Sequence, residues 1–579
     1  MTYHPPVFIR IILFSFFIVL GYACNKDTDL LAEYVVNKPE SLVPNDMVMT
    51  LPNNPIVIDP LGNGSSELPE NILITNVSPP KMGTAVVNDD NTITYTPDEN
   101  KSGTDVFDYS ATVTKPDKTV STETGNITVN VAEAEKTPTP TPAPIPANIY
   151  YVTTSGKSSN SGDSEDNAWN IQHAFSTAKA GDIVYIKAGN YGSLELSTKN
   201  SGTSDKPIKF IGYTSNAGDL VSQEGSTFKY GDKLDASKMP ILIGTLEKTA
   251  INLQNNYVQI ENFQITKYKM AITSKGQHVV IRNVIATELG KQTEYSAYDG
   301  WGIIIYGENS LLENSFVLNA TAEAIKLYGA NNSRVNHCEV RADNPSNPTD
   351  YYFLITGATK NSIIENSHAE RTQGLKHGGH GFDMKDQAEY NTFKNCTAVY
   401  TSFELNFSGV RYNTIQNCSI YGASTEPKDW HANLVIFNGA NNNLIKDMYI
   451  QDTWSAISWG DYDDGYVGPN GDRDEVSCGY DNTFERITVR NTNRILNVGG
   501  GTEYTAAAKR NTFINCDFSD FGSVAVTYYP TEGIKFKNCK FSNGKSLITE
   551  AGGLYAPYSK ADIMFENCTW KNNSFSAPN

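Results

Sequence analysis

The sequence lacks any long run of basic residues, and charged side chains of either sign are sparse. Acidic residues outnumber basic ones by 64 to 46, and the formal net charge is −18. An acidic surface repels the phosphate backbone of nucleic acids, so a nucleic acid partner is excluded. The charged fraction of 19% and the hydrophobic fraction of 39% are typical of a globular protein rather than a disordered one.

Nor does the sequence offer a convincing membrane span. The apolar run IILFSFFIVLGYAC, which follows Arg10, is short and lies at the start of the chain, which favours a secretory signal. Its end, LGYAC, resembles the lipobox of bacterial lipoproteins, and NKDTDLL after it resembles the acidic tags of Bacteroidota surface lipoproteins. The resemblance implies a signal peptide at 1–23, lipidation of Cys24 and a lipid anchor in the outer membrane, at the cell surface. The alternative is ordinary cleavage after Ala23.

Cysteine is scarce as well, with eight in the chain. In an exported protein an even number invites a disulfide interpretation, but six of the eight occupy one position of a repeat. Equivalent positions of stacked repeats form a column, so we expect packed free thiols instead. These six are Cys338, Cys396, Cys418, Cys516, Cys539 and Cys568.

A proline- and threonine-rich segment divides the mature chain. Residues 136–147 contain TPTPTPAPIPA, which predicts a stiff, extended linker. The part before it, residues 24–135, has short alternating segments between Asn, Asp, Gly and Pro turns, which predicts a small β-sandwich. GTAVVNDDNTITYTP and SGTDVFDYS resemble bacterial cadherin-like, immunoglobulin-like modules. No catalytic constellation is evident there, and the module is interpreted as a spacer or adhesion domain.

The remaining part, residues 148–579, carries a repeat. It opens with IQHAFSTAKA, which predicts one short amphipathic helix. Segments such as VIRNVIA, TFKNCTA and TFINCDF then share an apolar residue, a variable one and usually Asn, with shortest spacings of 21 to 23 residues. This period predicts a solenoid in which a buried Asn at each turn bonds to the next. The Asn positions include 262, 283, 314, 366, 395, 417, 515, 538 and 567.

A second strand of each coil is predicted from EAIKLYG, YYFLITG, HGFDMKD, FELNFSG and NLVIFNG. Their third and fifth residues are apolar and should point inward, so the residues between them should face outward. The inward pairs are Ile303/Ile305, Ile325/Leu327, Phe353/Ile355, Phe382/Met384, Leu405/Phe407 and Val435/Phe437. Stacking then predicts Asp383 beside Asn406 and diagonal to Glu404, with Lys385 on the same strand. Tyr352 is expected to lie between Lys326 and Asp383.

These charged residues interrupt a mainly neutral outward column, which indicates an active site. The alternative is a solvated salt-bridge ladder. Nearby loops add a locally basic patch that would suit an anionic substrate on this acidic protein. The substrate contacts predicted for this patch and column are Tyr352, Arg371, Lys376, His377, Asn406, Arg411 and His431, with His368 and His380 in the same loops.

The repeat and its opening resemble the right-handed parallel β-helix of the pectate-lyase-like superfamily, which includes polysaccharide lyase families 6 and 9. The resemblance implies an all-β fold and β-elimination at uronic acid residues of an anionic polysaccharide. Lys385 or Lys326 would be the base, with Tyr352 or a loop histidine such as His380 as alternatives. It also implies Ca²⁺ held by Asp383, Glu404 and Asn406.

Two other functions are compatible with the sequence. In a glycoside hydrolase on an acidic or sulfated polysaccharide, Asp383 and Glu404 would be the acid/base pair, without a metal. A non-catalytic surface binder or adhesin is the third hypothesis. Residues 458–475, rich in Asp and Gly, resemble a calcium-binding loop in composition but lack the EF-hand spacing, and are interpreted as an insertion at the rim of the groove. The protein is predicted to be a monomer.

Overall fold

The structure is a computed structural model, and the chain divides into two compact units, Met1–Ile145 and Pro146–Asn579. The predicted signal peptide, Cys24 and the predicted linker lie outside the described residues. No helix in the described part of the chain is long and apolar enough to cross a membrane. The structure describes residues 46–50, 55–61, 71–99, 101–114, 118–131, 148–220, 225–293, 298–346, 349–375, 379–407, 409–424, 431–461, 477–501 and 506–578.

The first unit contains two small sheets. All their pairings are antiparallel except that of Asp46–Thr50 with Val120–Val131. Alternate residues of the long strands point inward and form a separate core that includes Phe107, Tyr109 and Ile127, which confirms the predicted sandwich of strands. One sheet has the order Asp46–Thr50, Val120–Val131, Gly103–Thr114, Asn71–Val77, and the other Ile56–Ile58, Ile93–Pro97, Gly83–Val87.

The second unit opens with the predicted helix, Ile171–Thr177. Asn170 caps it by accepting a hydrogen bond from the backbone N–H of His173 at 2.8 Å, and Ile171, Ala174 and Phe175 are buried. The helix covers the start of the solenoid core. The first strands around it are Ile149–Val152, Ile183–Lys187, Gly189–Asn190, Leu196–Ser197, Ile208–Tyr213 and Pro240–Ile243.

The rest of this unit is a parallel β-helix, as predicted. Its strands belong to one continuous arrangement of 38 parallel strands, because each strand pairs with its equivalents in the coils before and after it. Three rows of strands run along the axis. The site row consists of Thr249–Leu253, Met270–Ser274, Trp301–Ile305, Glu323–Tyr328, Tyr351–Thr356, His380–Lys385, Phe403–Asn406, Leu434–Phe437, Ser455–Asp461, the later part of Thr488–Gly501, the later part of Asp517–Thr527, and Ser546–Glu550.

The other two rows complete each coil. The second row contains the first part of Val258–Thr266 and of Val280–Leu289, then Leu311–Glu313, Arg334–Asn336, Ile363–Glu365, Thr392–Lys394, Thr414–Gln416, Leu444–Lys446, Thr483–Glu485, Thr512–Ile514, Ile534–Lys537 and Ile563–Glu566. The third row contains the later parts of the first two, then Phe316–Ala320, Glu339–Ala342, His368–Arg371, Thr397–Val399, Ser419–Tyr421, Tyr449–Gln451, the first parts of Thr488–Gly501 and Asp517–Thr527, Lys540–Ser542 and Thr569–Lys571. Ser477–Tyr480, Ala507–Lys509 and Thr531–Glu532 form a short parallel sheet beside them, and Gly553–Tyr555 is a 3-10 turn.

The repeated Asn lies at the corner between the second and third rows. Asn283, Asn395 and Asn417 have positive φ values of 47°, 54° and 54°, a conformation that Asn tolerates better than most residues. The predicted side-chain ladder exists, since Asn395 donates to Asn366 at 2.9 Å and Asn417 donates to Asn395 at 2.8 Å. The ladder is buried as predicted at Asn283, which donates to Asn262 at 2.8 Å, whereas Asn395 and Asn417 are exposed.

A second, fully buried Asn ladder was not predicted. Each member donates from its amide to the side-chain oxygen of the next, at 3.0 to 3.3 Å, and all are at most 2% exposed. The members open the second-row segments NTF, NTI, NLI, NTF and NTF, immediately before each strand. They are Asn391, Asn413, Asn443, Asn482 and Asn511.

The cysteine prediction is confirmed for the six repeat positions, all of which are free thiols. Five are buried and Cys568, in the last described coil, is half-buried. Cys396 forms no disulfide and lies against Cys418, whose Sγ is 3.4 Å from the backbone nitrogen of Cys396. Cys478 is also a buried free thiol.

Candidate functional site

Three side chains that could bind a metal ion or transfer a proton converge on the site row. Asp383 and Glu404 are direct partners across neighbouring strands. His380 lies three residues before Asp383 at the start of the same strand, and its Nδ1 is 2.8 Å from Glu404 Oε2. One nitrogen or oxygen atom from each of the three lies within 4.8 Å of the others. We call His380, Asp383 and Glu404 the trio.

The register of the trio differs from the prediction by two residues. Asp383 was expected beside Asn406, but Asn406 pairs with Lys385. Phe353, Phe382 and Phe403 fix the observed register, since their rings stack at 4.6 Å between centroids in the core. The prediction aligned Phe382 with Leu405 because both are apolar, and alternation alone cannot distinguish a slip of two residues.

The inward residues were correctly predicted up to Leu405 and wrongly after it. Phe403 and Leu405 point into the core, while Phe407 is half-buried and lies outside the core with a positive φ of 73°. In the next strand Leu434 and Ile436 are the inward pair, opposite Phe403 and Leu405. The predicted inward pair Val435/Phe437 is therefore wrong. All four residues of the strand Leu434–Phe437 are apolar, so its sequence does not show which residues point inward.

Asp383 is the most deeply buried member of the trio. It is 0% exposed, and neither of its carboxylate oxygens has a hydrogen-bond partner among the described residues. Burial raises the pKa of Asp383 well above its usual range, and the adjacent Glu404 carboxylate raises it further. A carboxyl in this position cannot contact a substrate in the groove directly.

Glu404 and His380 form an ion pair above Asp383. Burial alone would raise the pKa of Glu404, but His380 and a short hydrogen bond from the Ser402 hydroxyl outweigh it, so this pKa lies below the usual value. Burial would lower the pKa of His380, yet Glu404, Asp383 and Asp350 together raise it to about 9. The Nδ1–Oε2 contact is close, but the ring N–H is not aligned with the carboxylate well enough to form a hydrogen bond.

Lys385 and Tyr351 occupy the solvent-facing side of the same strands. Lys385 donates a hydrogen bond from Nζ to the Tyr351 hydroxyl at 3.0 Å, and its ammonium lies 4.3 Å from the centroid of the Phe407 ring. The Tyr351 ring also stacks on His380 at 4.6 Å. Burial and the nearby carboxylates raise the pKa of Tyr351, so its hydroxyl keeps its proton. The sequence analysis did not predict Tyr351, although it predicted the neighbouring Tyr352 as a substrate contact.

Tyr352 does not face the groove as predicted. It is 1% exposed and belongs to the hydrophobic core together with Phe353. Two successive residues point inward here because the strand starts at a corner, where strict alternation does not apply. The flanking positions in the neighbouring coils are Ala324 and Gly381, whose small size leaves room for the ring. The predicted substrate contact of Tyr352 is therefore wrong.

Lys326 lies in the same outward column as Asp383 but two coils away. Leu354 is its partner on one side and separates it from Asp383. Its ammonium is bound by Glu323, at 2.9 and 3.0 Å, and faces the Tyr328 ring at 5.1 Å. At a coil spacing of about 4.8 Å this places Lys326 about 10 Å from Asp383 along the axis. Lys385, not Lys326, is brought to the trio.

The predicted basic loops contribute less charge at the surface than expected. Arg371 is 1% exposed, and its guanidinium donates to the backbone oxygens of Tyr400 at 2.7 Å and Leu375 at 2.8 Å. Its predicted contact with substrate is wrong, because the side chain holds the corner after the third row instead. Lys376 and His377 lie outside the described residues.

Three further candidates lie outside the strands of the site row. Arg411 follows the site row and pairs with Glu389 at 2.7 Å, His431 is half-buried just before the strand Leu434–Phe437, and His368 pairs with Glu370 at 2.9 Å in the third row. Roles in substrate binding for Arg411 and His431 stay predictions.

The residues fit the implied calcium site poorly. Calcium prefers a cage made only of oxygen ligands. Asn406 was to complete that cage, but its side-chain oxygen accepts a hydrogen bond from Asn438 at 3.0 Å, and it pairs in register with Lys385. The third donor beside Asp383 and Glu404 is the His380 nitrogen. No reaction step is therefore derived through calcium.

The chain is similar to one protein family and to several solved structures. Residues 37–130 match the model of the bacterial Ig domain. No curated protein sequence matches the chain. A mannuronic-acid-specific family 6 polysaccharide lyase from human gut microbiota is 14% identical, with a TM-score of 0.46 over 69% of this chain and 86% of its own. A family 6 polysaccharide lyase from Pseudopedobacter saltans is 12% identical, with a TM-score of 0.43 over 70% and 92%.

An endo-xylogalacturonan hydrolase from Aspergillus tubingensis is a further similar structure. It is 11% identical, with a TM-score of 0.34 over 57% of this chain and 88% of its own.

Proposed function

We propose that the protein is a polysaccharide lyase that cleaves an anionic polymer by β-elimination at uronic acid residues. The observation that supports this most is the division of the site into two layers. Lys385, Tyr351 and His380 are partly exposed, whereas Asp383 is 0% exposed and Glu404 is buried under His380. The groups that a substrate can touch are an amine, a phenol and an imidazole.

This set suits elimination. A base must remove the proton from the carbon beside the uronate carboxylate, and positive charge must stabilise the resulting enolate. Lys385 is the base of the proposal. The imidazole of His380, held by Glu404 at 2.8 Å, is placed to pair with the uronate carboxylate.

Tyr351 is the proposed acid. Because its oxygen accepts the hydrogen bond from Lys385, its own O–H is free to point at the departing glycosidic oxygen. The base removes one proton, a carbon–carbon double bond forms, the carbon–oxygen bond to the next sugar breaks, and the phenol protonates the oxygen that leaves. Lys385 and Tyr351 are 3.0 Å apart, so one short proton transfer between them restores the starting state.

The surroundings of the site favour a polymer as substrate. Tyr306 and Tyr328 follow one another on the site row, with ring centroids 5.5 Å apart and side chains 38% and 45% exposed. They lie in the column that continues through Thr356 to Lys385. Exposed aromatic rings stack on sugar rings, and a straight row along a solenoid matches an extended chain.

A hydrolase that uses Asp383 and Glu404 is the second candidate. The two carboxyls are neighbours with pKa values shifted in opposite directions, which is a feature of acid/base pairs. Against this, both oxygens of Asp383 are inaccessible, and the acid of a hydrolase must reach the glycosidic oxygen. A non-catalytic binder is the third candidate.

One experiment separates the three candidates. The protein is incubated with alginate, pectin, glycosaminoglycan, ulvan and sulfated fucan, and both new reducing ends and ultraviolet absorbance of unsaturated uronate are measured. A lyase produces both signals in equal amounts, a hydrolase only reducing ends, and a binder neither. Reducing ends without absorbance would contradict the lyase proposal.

We also propose that the enzyme acts at the cell surface, anchored in the outer membrane through lipidated Cys24. The support is the LGYAC sequence after an apolar run. Polymers too large to enter a cell are degraded outside it, so this location is consistent with the proposed substrate.

A further inference from the structure

The trio contains polar atoms that nothing in the described structure satisfies. Both oxygens of Asp383 are buried atoms without a hydrogen-bond partner, and the buried Nδ1 of His380 has only its ion-pair contact with Glu404 at 2.8 Å, without an aligned hydrogen bond. Leaving one such atom unsatisfied costs about 1–3 kcal/mol, so each needs a physical explanation. By contrast, two other buried carboxylates of the solenoid, Glu389 and Glu365, are ion-paired with Arg or Lys.

Protonation of Asp383 does not remove the problem. A neutral carboxyl has an O–H that needs an acceptor and a carbonyl oxygen that prefers a donor, and neither is supplied by the described residues. A positive ion placed between the three side chains satisfies all of these atoms at once. The donor atoms are within 4.8 Å of one another, so an ion in their midst is within bonding reach after small rotations.

The local charge is consistent with a divalent ion. The ionisable groups around the trio include the carboxylates of Asp350, Asp383, Asp386 and Glu404 and the ammonium of Lys385. As a metal ligand at Nδ1, His380 is neutral, so these carboxylates, when ionised, exceed Lys385 by three charges. One divalent cation offsets two of them.

We propose that His380, Asp383 and Glu404 bind a divalent transition metal ion, with His380 Nδ1 and one oxygen of each carboxylate as ligands. Imidazole nitrogen with carboxylate oxygens suits Zn²⁺ or Mn²⁺, whereas Ca²⁺ favours oxygen ligands. His380 Nε2 lies 3.9 Å from Asp350 Oδ1, so that carboxylate is placed to orient the ring from the other side. The site is the only group of three such side chains in the described ranges.

This inference does not depend on the lyase reaction. A metal at the trio would replace the proton of His380 as the positive charge next to the groove. Either way a cation faces the substrate, so the two proposals are compatible but are tested separately.

The test measures metal binding without any substrate. The full-length protein is stripped with a chelator, and Zn²⁺, Mn²⁺ and Ca²⁺ are each titrated by calorimetry, with metal content and melting temperature as second readouts. We expect one Zn²⁺ per chain with a dissociation constant of about 1 µM or below, and Ca²⁺ weaker by at least ~10-fold. The melting temperature should rise with Zn²⁺.

The variants His380→Gln, Asp383→Asn and Glu404→Gln should each weaken Zn²⁺ binding by at least ~10-fold. His368→Gln is the matched control, because His368 also pairs with a glutamate at 2.9 Å but belongs to the third row, and it should bind Zn²⁺ as the wild type does. Circular dichroism verifies that each variant is folded. If a variant is not folded, the wild-type titration still measures whether the protein binds Zn²⁺ and whether it prefers Zn²⁺ to Ca²⁺.

Three results would overturn the proposal. They are wild-type protein that takes up no Zn²⁺ or Mn²⁺, Ca²⁺ that binds more tightly than either, and binding that survives all three substitutions. Absence of lyase activity would leave these results unaffected, so failure of the proposed function and failure of the metal site are distinguishable.

Discussion

The two lysines of the site row differ in their neighbours, and this difference gives a test of the proposed base. Lys385→Ala should lower kcat for elimination by about 10²-fold or more, because it removes the base. Lys326→Ala removes an ammonium that is already paired with Glu323 about two coils away, so kcat should change by less than about 10-fold. Initial rates of absorbance on the best polymer measure both. Equal losses in the two variants would refute the assignment of Lys385.

The adjacent tyrosines offer a second matched pair. Tyr351→Phe keeps the ring that stacks on His380 but removes the hydroxyl, so kcat should fall by about 10-fold or more with little change in KM. Tyr352→Phe removes a hydroxyl from the core, and turnover should stay close to that of the wild type. A larger effect for Tyr352→Phe would mean that the ring which faces the groove has been wrongly identified.

At the level of single residues, the sequence predicts whether a side chain points inward or outward better than it predicts which residues that side chain contacts. Asp383 and Lys385 were placed outward because Phe382 and Met384 alternate with them, and both of these are buried. Tyr352 was misplaced because the alternation breaks at a corner. Arg371 was misjudged because a guanidinium can be buried when backbone oxygens accept hydrogen bonds from it, which no local pattern reveals.

The buried Asn ladder is the element that should matter most for stability. The Asn443 amide donates to the backbone oxygen of Val410 and to the side-chain oxygen of Asn482. Its own side-chain oxygen accepts from the backbone N–H and the amide of Asn413, and all four distances are 2.9 to 3.1 Å. Asn443→Ala leaves several buried groups unsatisfied and should reduce the free energy of unfolding by about 2–4 kcal/mol. Urea denaturation measures this change.

A control for that prediction comes from the other ladder. Asn417 donates one solvent-exposed hydrogen bond to Asn395, and glycine keeps its positive φ of 54° without strain. Asn417→Gly should therefore cost about 1 kcal/mol or less. If the two substitutions were equally harmful, burial of the ladder would not be the source of its stabilising effect.

The strands themselves were predictable because the repeat imposes the same pattern many times. The order of coils, the inward faces as far as Leu405 and the column of thiols all follow from that repetition. The register between Asp383 and Glu404 does not, because it depends on the stacking of Phe382 on Phe403, a contact between residues 21 positions apart. The buried ladder was missed because Asn before a strand is also common in ordinary turns.

On the scale of the whole molecule, the two compact units should be separable. Residues 148–579 contain their own capping helix, a continuous core and every described member of the candidate site. We expect this fragment to fold and to retain the turnover of the full chain. Circular dichroism and the elimination assay test this, and a fragment that is folded but inactive would assign the first unit a part in catalysis.

Membrane attachment is a property of the intact chain and can be tested in cells. Cys24→Ser should shift the protein from the membrane fraction to the soluble fraction, because a serine cannot accept the thioether-linked lipid. Fractionation followed by immunoblotting measures the shift, with Cys478→Ser as a control for the loss of a thiol elsewhere. Retention of Cys24→Ser in the membrane would contradict lipidation.

The candidate site is assembled from three consecutive coils, with Tyr351, the strand His380–Lys385 and Glu404 stacked one above the other. Each coil binds only its two neighbours, so the coil is the unit in which such a protein can be inherited and altered. Duplication or loss of a coil outside residues 351–404 would lengthen or shorten the groove and carry the reacting groups along unchanged. An additional coil between Asp383 and Glu404 would instead separate them by a further ~5 Å and dismantle the site. Substrate length and chemistry can therefore diverge independently in relatives of this protein.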